Sequence, residues 1–185
     1  MPGRDPKLLV VDRDGTLSRD PEDFVQGPQD WLPLPGALEA LARLNEAGWR
    51  IVVASNQAGL GRGLFDVATL NAVHAHMHRL LAQAGARVEA VFFCPHAPDE
   101  GCNCRKPAPG LLLGIAQRFG VQPAQLVAVG DSMRDVQAAL AAGCQTHLVL
   151  TGQLAHWRGQ PRPAELPPEV TVHEDLPALA EALLA

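Results

Sequence analysis

The chain has 185 residues and a formal net charge of −5, and its composition is 47% hydrophobic and 19% charged. That is enough apolar material for one core and too much for a disordered chain, while the acidic balance argues against nucleic acid or anionic lipid as partners. No apolar run reaches the roughly 18–20 residues of a spanning helix, and Met1-Pro2-Gly3-Arg4-Asp5 has no apolar core of the signal-peptide kind, so one cytoplasmic, monomeric domain over 1–185 is expected, without nucleic-acid or membrane partners.

Short apolar runs alternate with stretches of helical period, as in βα units around a parallel sheet. Residues 8–11 are apolar throughout, as suits a strand covered on both faces, and stop at Asp12. After Pro35-Gly36 a helix places Leu38, Leu41 and Leu44 on one side and ends near Gly48. Residues 51–54 read as a second buried strand, and Asp66 caps a long helix that turns Val67, Leu70, Val73, Met77, Leu80 and Leu81 inward before Gly85. Further along come a strand at 88–93, a helix at 110–119 ended by Gly120, and a strand at 126–129 running into Gly130-Asp131. A helix at 134–142 stops at Gly143, a strand follows at 147–150, and 161–168 is a proline-rich loop. An edge strand at 170–172 and a helix at 176–184 close the chain. The expected fold is α/β, a doubly wound parallel sheet.

Open parallel sheets bind ligands beyond the carboxyl ends of their strands. Asp12-Arg13-Asp14-Gly15-Thr16 follows the first strand, Ser55-Asn56-Gln57 the second and Gly130-Asp131 the fourth. Asp12 and Asp14, one residue apart, repel unless a cation offsets them, and Mg²⁺ with its preference for oxygen ligands fits, with Asp131 as a further carboxylate. Gly15 allows a sharp turn, and Ser55, Asn56 and Lys106 supply the hydroxyl, backbone donors and cation that hold a phosphoryl group. Singly, each has an ordinary explanation as a turn, a cap or a solvated lysine. Their order along the chain is the specific signal.

In that order the residues resemble the haloacid dehalogenase superfamily of phosphotransferases: Asp12-Arg13-Asp14-Gly15-Thr16-Leu17, then Ser55 with Asn56, then Lys106, then Gly130-Asp131 with Asp135. The resemblance implies that Asp12 is a nucleophile forming an aspartyl-phosphate, and that Asp14 is the acid for the leaving oxygen and then the base for water. It implies Mg²⁺ held by the Asp12 side chain, the Asp14 backbone carbonyl and Asp131, with Ser55 and Lys106 on the phosphoryl oxygens and Asp135 orienting water or Lys106.

Cys94-Pro95-His96 and Cys102-Asn103-Cys104 form two ligand pairs suited to tetrahedral Zn²⁺, and with all four positions protein-filled the site is structural. Arg105 and Lys106 follow directly, so this zinc loop, 94–104, fixes two cations. The loop looks like that of two groups within the superfamily, the D-glycero-D-manno-heptose 1,7-bisphosphate 7-phosphatases of bacterial heptose synthesis and the histidinol-phosphate phosphatases. The stretches 56–63 and 30–36 are more similar to the first group, which implies a sugar bisphosphate substrate, with Arg105 recognising its second phosphate or sugar hydroxyls. The resemblance further implies that Asp20, Asp23, Asn56, Gln57 and Ala58 line the substrate pocket, with Arg13, Arg62 and Ser132 as further contacts. Ser132 stands where some heptose relatives carry lysine, and the insert between Leu17 and Pro35 is too short for a cap domain, so a capless enzyme is expected.

Other features carry less. His74 and His78, four apart, read as a solvated helix face without a third ligand, and Cys144 as a small buried residue. A receiver-like phospho-acceptor module is the rival from another class; it would not need Asp14 beside Asp12 or cations clamped by zinc. A zinc module binding nucleic acid lacks a flanking basic helix.

Overall fold

The computed structural model describes residues 6–22 and 24–185. The leader reading of Met1 to Asp5 and the expected substrate contact Asp23 lie outside the described residues.

The chain runs β1 (Leu8–Val11), α1 (Ala37–Glu46), β2 (Arg50–Asn56), α2 (Ala58–Gly61), α3 (Val67–Gln83), β3 (Ala90–Cys94), α4 (Gly110–Phe119), β4 (Leu126–Gly130), α5 (Met133–Ala142), β5 (Gln145–Val149), β6 (Thr171–His173) and α6 (Leu176–Leu184). The six strands pair in the order β3-β2-β1-β4-β5-β6, every pairing parallel. Strand period sorts the apolar side chains into two layers. Leu9 and Val11 join the α1, α3 and α6 side with Leu41, Val73, Met77 and Leu179. Leu8 and Val10 face the α4 and α5 side with Leu112, Ile115 and Ala139. With both faces of β1 covered, its only polar outlet is its carboxyl end, where the chain passes into Asp12.

The helix at 110–119 and the closing helix have the expected bounds, and Asp66 accepts from the Thr69 N–H as the cap of α3. Several strand ends moved because pairing sets them: β2 extends to Asn56, in register with Cys94, the third strand occupies Ala90–Cys94 rather than 88–93, and β5 begins at Gln145 opposite Val127. Val67 does not turn inward; it is 55% exposed, at the first position of α3 beyond the sheet. Three 3-10 turns, Pro28–Asp30, Pro123–Gln125 and Gly152–Trp157, were not anticipated. Between β1 and α1 the described residues hold only that first turn and isolated bridges, so no folded cap covers Asp12. Among the described residues no helix is long and apolar enough to cross a membrane.

Leu41 is fully buried between α1 and the sheet. Leu41→Ala should cost about 2–5 kcal/mol by leaving a cavity, read as a lower urea midpoint at unchanged slope.

Candidate active site

The parallel register ends β1, β2 and β4 side by side, so Asp12, Ser55 and Asp131 meet at one edge. Gly15 turns the chain there at φ +88, and a Cβ on it would lie 2.3 Å from Asp131 Oδ2, so only glycine fits. Asp131 accepts from the Thr16 hydroxyl at 3.2 Å and from the N–H of Gln153, in the 3-10 turn Gly152–Trp157, at 2.7 Å. The Thr151 hydroxyl, donating to the Gly15 carbonyl at 2.6 Å, ties that turn to the loop after β1.

Lys106 is buried at the centre. Its ammonium donates to Asp12 Oδ1 at 2.6 Å, to Asp135 Oδ1 at 2.6 Å and to the Ala54 carbonyl at 2.9 Å, which uses all three protons. Burial alone would lower its pKa, but Asp12 and Asp135 overcome this and hold the lysine above its ordinary value. Burial raises Asp12 well above the usual carboxylate range, and Asp135 and Asp131 add to it against the pull of Lys106. Burial, then Asp135, raises Asp131 to about 6. Asp135 also accepts from the Ser132 N–H and hydroxyl, a capping box that starts α5. The Ser132 hydroxyl, expected on substrate, is thereby engaged in the cap, although the residue lines the cavity.

Asp12, Asp131 and Asp135 bring carboxylate oxygens within 4.8 Å of one another. Against three carboxylates Lys106 is the cation in contact among the described residues, so the cluster carries excess negative charge and fits a hard divalent ion. With Asp135 committed to Lys106 and Ser132, the Asp12 and Asp131 carboxylates are the side chains that would hold it.

Asp14 turns away from this cluster. Its oxygens accept from Arg13 Nε and Nη2, each at 2.9 Å, and from Gln57 Nε2 at 3.1 Å. Gln57 also donates to the Ser55 hydroxyl at 2.6 Å. Arg13, expected on substrate, does line the cavity, but it is 1% exposed and its guanidinium donates to protein partners, because a cation at that depth needs fixed ones. The last of these is His74, whose Nε2 receives Arg13 Nη1 at 3.1 Å. His74 is therefore not on a solvated face: it is buried on α3, whereas His78 is exposed. Burial, then Arg13, lowers its pKa to about 4.

Asn56 fixes Lys106 from the other side, accepting its N–H and donating to its carbonyl, both at 3.0 Å. Just upstream, Cys94, His96, Cys102 and Cys104 place their ligand atoms within 4.8 Å of one another, a spacing that fits a tetrahedral shell of Zn–S about 2.3 Å and Zn–N about 2.0 Å. Cys102 Sγ accepts the Arg105 N–H at 3.4 Å, so the loop binds the backbone that carries both cations.

These groups open onto a cavity of about 380 Å³, lined by the Asp12, Asp14, Asp20, Ser55, Asn56, Gln57, Ala58, Arg105, Lys106 and Asp131 positions. Arg62 is not among the lining residues; the turn after α2 carries it to the surface, 5.8 Å over the Phe24 ring. Sequence reasoning missed Arg134, Phe24 and Gln153, which do line the cavity. Only Arg134 had a local signal, a cation in the first turn of the helix after Asp131. Arg105 Nη1 is buried without a hydrogen-bond partner, and burial together with the charge of Arg134 lowers the arginine's pKa.

The family model of the haloacid dehalogenase-like hydrolases matches residues 9–143. The chain is similar to the D-glycero-beta-D-manno-heptose-1,7-bisphosphate 7-phosphatase of Bordetella bronchiseptica, 53% identical over 96% of this chain and 98% of the relative. It is also similar to the enzyme of the same name from Pseudomonas aeruginosa, 44% identical over 96% of this chain and 97% of the relative. Its fold matches the crystal structure of the D,D-heptose 1,7-bisphosphate phosphatase from B. bronchiseptica, complexed with magnesium and phosphate. The TM-score is 0.90 at 53% identity, over 96% of this chain and 98% of that one.

The cysteine cluster predicts about one equivalent of zinc by elemental analysis, and Cys104→Ser should remove most of it. Mg²⁺ binds the ionised form of Asp131, raised to about 6, so affinity should hold above that pH and fall below it. Calorimetric titration should give a Kd about tenfold weaker at pH 5 than at pH 7.

Proposed function

The chain belongs to the haloacid dehalogenase-like hydrolases, and from that premise we propose that it removes the 7-phosphate of D-glycero-D-manno-heptose 1,7-bisphosphate. The observation that carries the substrate is the 53% identity, over 96% of the chain, to a relative named for that reaction. The partnerless Arg105 Nη1, with Arg134 beside it, supports the reading: two cations at the mouth suit a substrate with a second phosphate.

In the first step an Asp12 carboxylate oxygen attacks phosphorus, the bond to the sugar oxygen breaks, and Asp14 gives that oxygen a proton. In the second, Asp14 takes a proton from water as the water oxygen attacks the aspartyl-phosphate, releasing inorganic phosphate and restoring Asp12. Mg²⁺, held by the Asp12 and Asp131 carboxylates and the Asp14 carbonyl, neutralises phosphoryl charge when bound. Ser55 and Lys106 hold the phosphoryl oxygens; because all three Lys106 protons are engaged, it must exchange one partner to do so. Asp20, Asn56, Gln57 and Ala58 line the cavity on the side away from the strand ends' carboxylate cluster, Asp135 orients Lys106, and zinc, when bound by Cys94, His96, Cys102 and Cys104, would stiffen the loop bearing Arg105. We read residues 1–185 as one domain, monomeric and cytoplasmic, where a reducing medium keeps the zinc thiols available.

Phosphate release should be measured with Mg²⁺ from both anomers of the heptose bisphosphate, from histidinol phosphate and from a sugar monophosphate. One heptose anomer should be preferred, and Asp12→Asn should abolish turnover. Preference for histidinol phosphate would overturn the substrate assignment, and no release from any of them would return the receiver-like reading. Arg105→Ala should raise KM for the bisphosphate about tenfold, equivalent to about 1.4 kcal/mol, with little change for the monophosphate.

A further inference from the structure

We propose that His74 is a positioning residue that acts through Arg13 to align the Asp14 carboxyl for proton transfer. The inference rests on the reading of Asp14 as the proton-transferring group. Arg13 is 1% exposed, and its Nε and Nη2 meet the two Asp14 oxygens at 2.9 Å each, a planar fork that fixes the plane of the carboxyl. What orients the fork is its third contact, from Nη1 to His74 Nε2 at 3.1 Å. A guanidinium only donates, so Nε2 must present a lone pair and the imidazole is neutral, with its proton on Nδ1.

His74 is well placed to act as a fixed acceptor. It is 8% exposed, does not line the cavity, and lies tilted against Phe93 of β3 with ring centroids 6.3 Å apart. The Arg13 fork is thereby referred to the packing of α3 on the sheet and not to solvent. On the other side of the carboxyl, Gln57 donates to Asp14 Oδ2. Among the described residues Oδ2 receives two hydrogen bonds and Oδ1 one, which leaves Oδ1 a lone pair for the travelling proton. Without an acceptor at His74, Nη1 has no partner, the fork can tilt, and the carboxyl loses its fixed direction.

Only steps in which Asp14 moves a proton should suffer. A sugar leaving oxygen needs a proton, nitrophenolate does not, and kcat/KM reports the steps up to phosphorylation of Asp12. His74→Leu should lower kcat/KM for the heptose bisphosphate about tenfold while that for 4-nitrophenyl phosphate stays within about twofold. His74→Gln, whose amide oxygen restores an acceptor, should recover to within about threefold of wild type. Equal loss on both substrates, or a glutamine variant no better than leucine, would overturn the proposal. If His74→Leu does not fold, Arg13→Lys, a cation without a fork, must show the same substrate split; equal loss there also overturns it. An Asp14→Asn protein that keeps the wild-type rate on the sugar phosphate would instead fail the reading of Asp14, and the proposal would fall with it.

Discussion

A buried ammonium between two carboxylates organises this molecule. Lys106 sits within 2.6 Å of both Asp12 and Asp135, with the Ala54 carbonyl taking its third proton. Charges taken out of water at this depth cost several kcal/mol each unless their partners are held in place, so the lysine imposes demands on everything around it. Asn56 clamps its backbone through both N–H and carbonyl. Asp135 is held by the capping box of α5. Gly15 and Gly152 both lack the Cβ that would strike Asp131, the third carboxylate of the group. The site is thus part of the folding problem: the strand ends can meet only if their charges are matched.

The chain divides its cations by depth. Lys106 is inside with every donor satisfied, while Arg105, the preceding residue, keeps a donor without a partner at the cavity. Adjacent residues point to such different environments because the cysteine loop holds the backbone between them, through the Arg105 N–H on Cys102 on one side and the Asn56 clamp on the other. A metal site does this cheaply in a short loop, since its ligands need no hydrophobic core to fix their geometry.

A similar division separates the two aspartates after β1. Asp12 faces the lysine and the other carboxylates; Asp14 faces Arg13 and Gln57. Two carboxyls one residue apart need opposite environments if one is to stay a nucleophile and the other to exchange a proton. In an extended chain residues two apart share a face, so strand period alone would aim both carboxyls the same way; the opposite directions arise because the chain leaves β1 after Val11, bends at Arg13 and turns at Gly15.

Much of this was legible in the residues. The run at 8–11, the helix at 110–119 and the closing helix follow from apolar period and caps, which are properties of neighbours in the chain. The ligand spacing of 94–104 and the acidic and basic residues after three strands are likewise local. Strand ends at Asn56 and Gln145 were not, because a strand stops where its partner does. Nor was the placing of Arg62 at the surface over Phe24, or of Arg134 at the cavity. His74 is the clearest case: its spacing from His78 suits a wet face, and only the packing of α3 brings it to Arg13, 61 residues away. The sequence by itself determined the α/β architecture, the residues available for chemistry and the metal loop. The tertiary structure decided which of those residues face the cavity and which are spent holding others, because a buried charge selects its partners only when distant elements close around it.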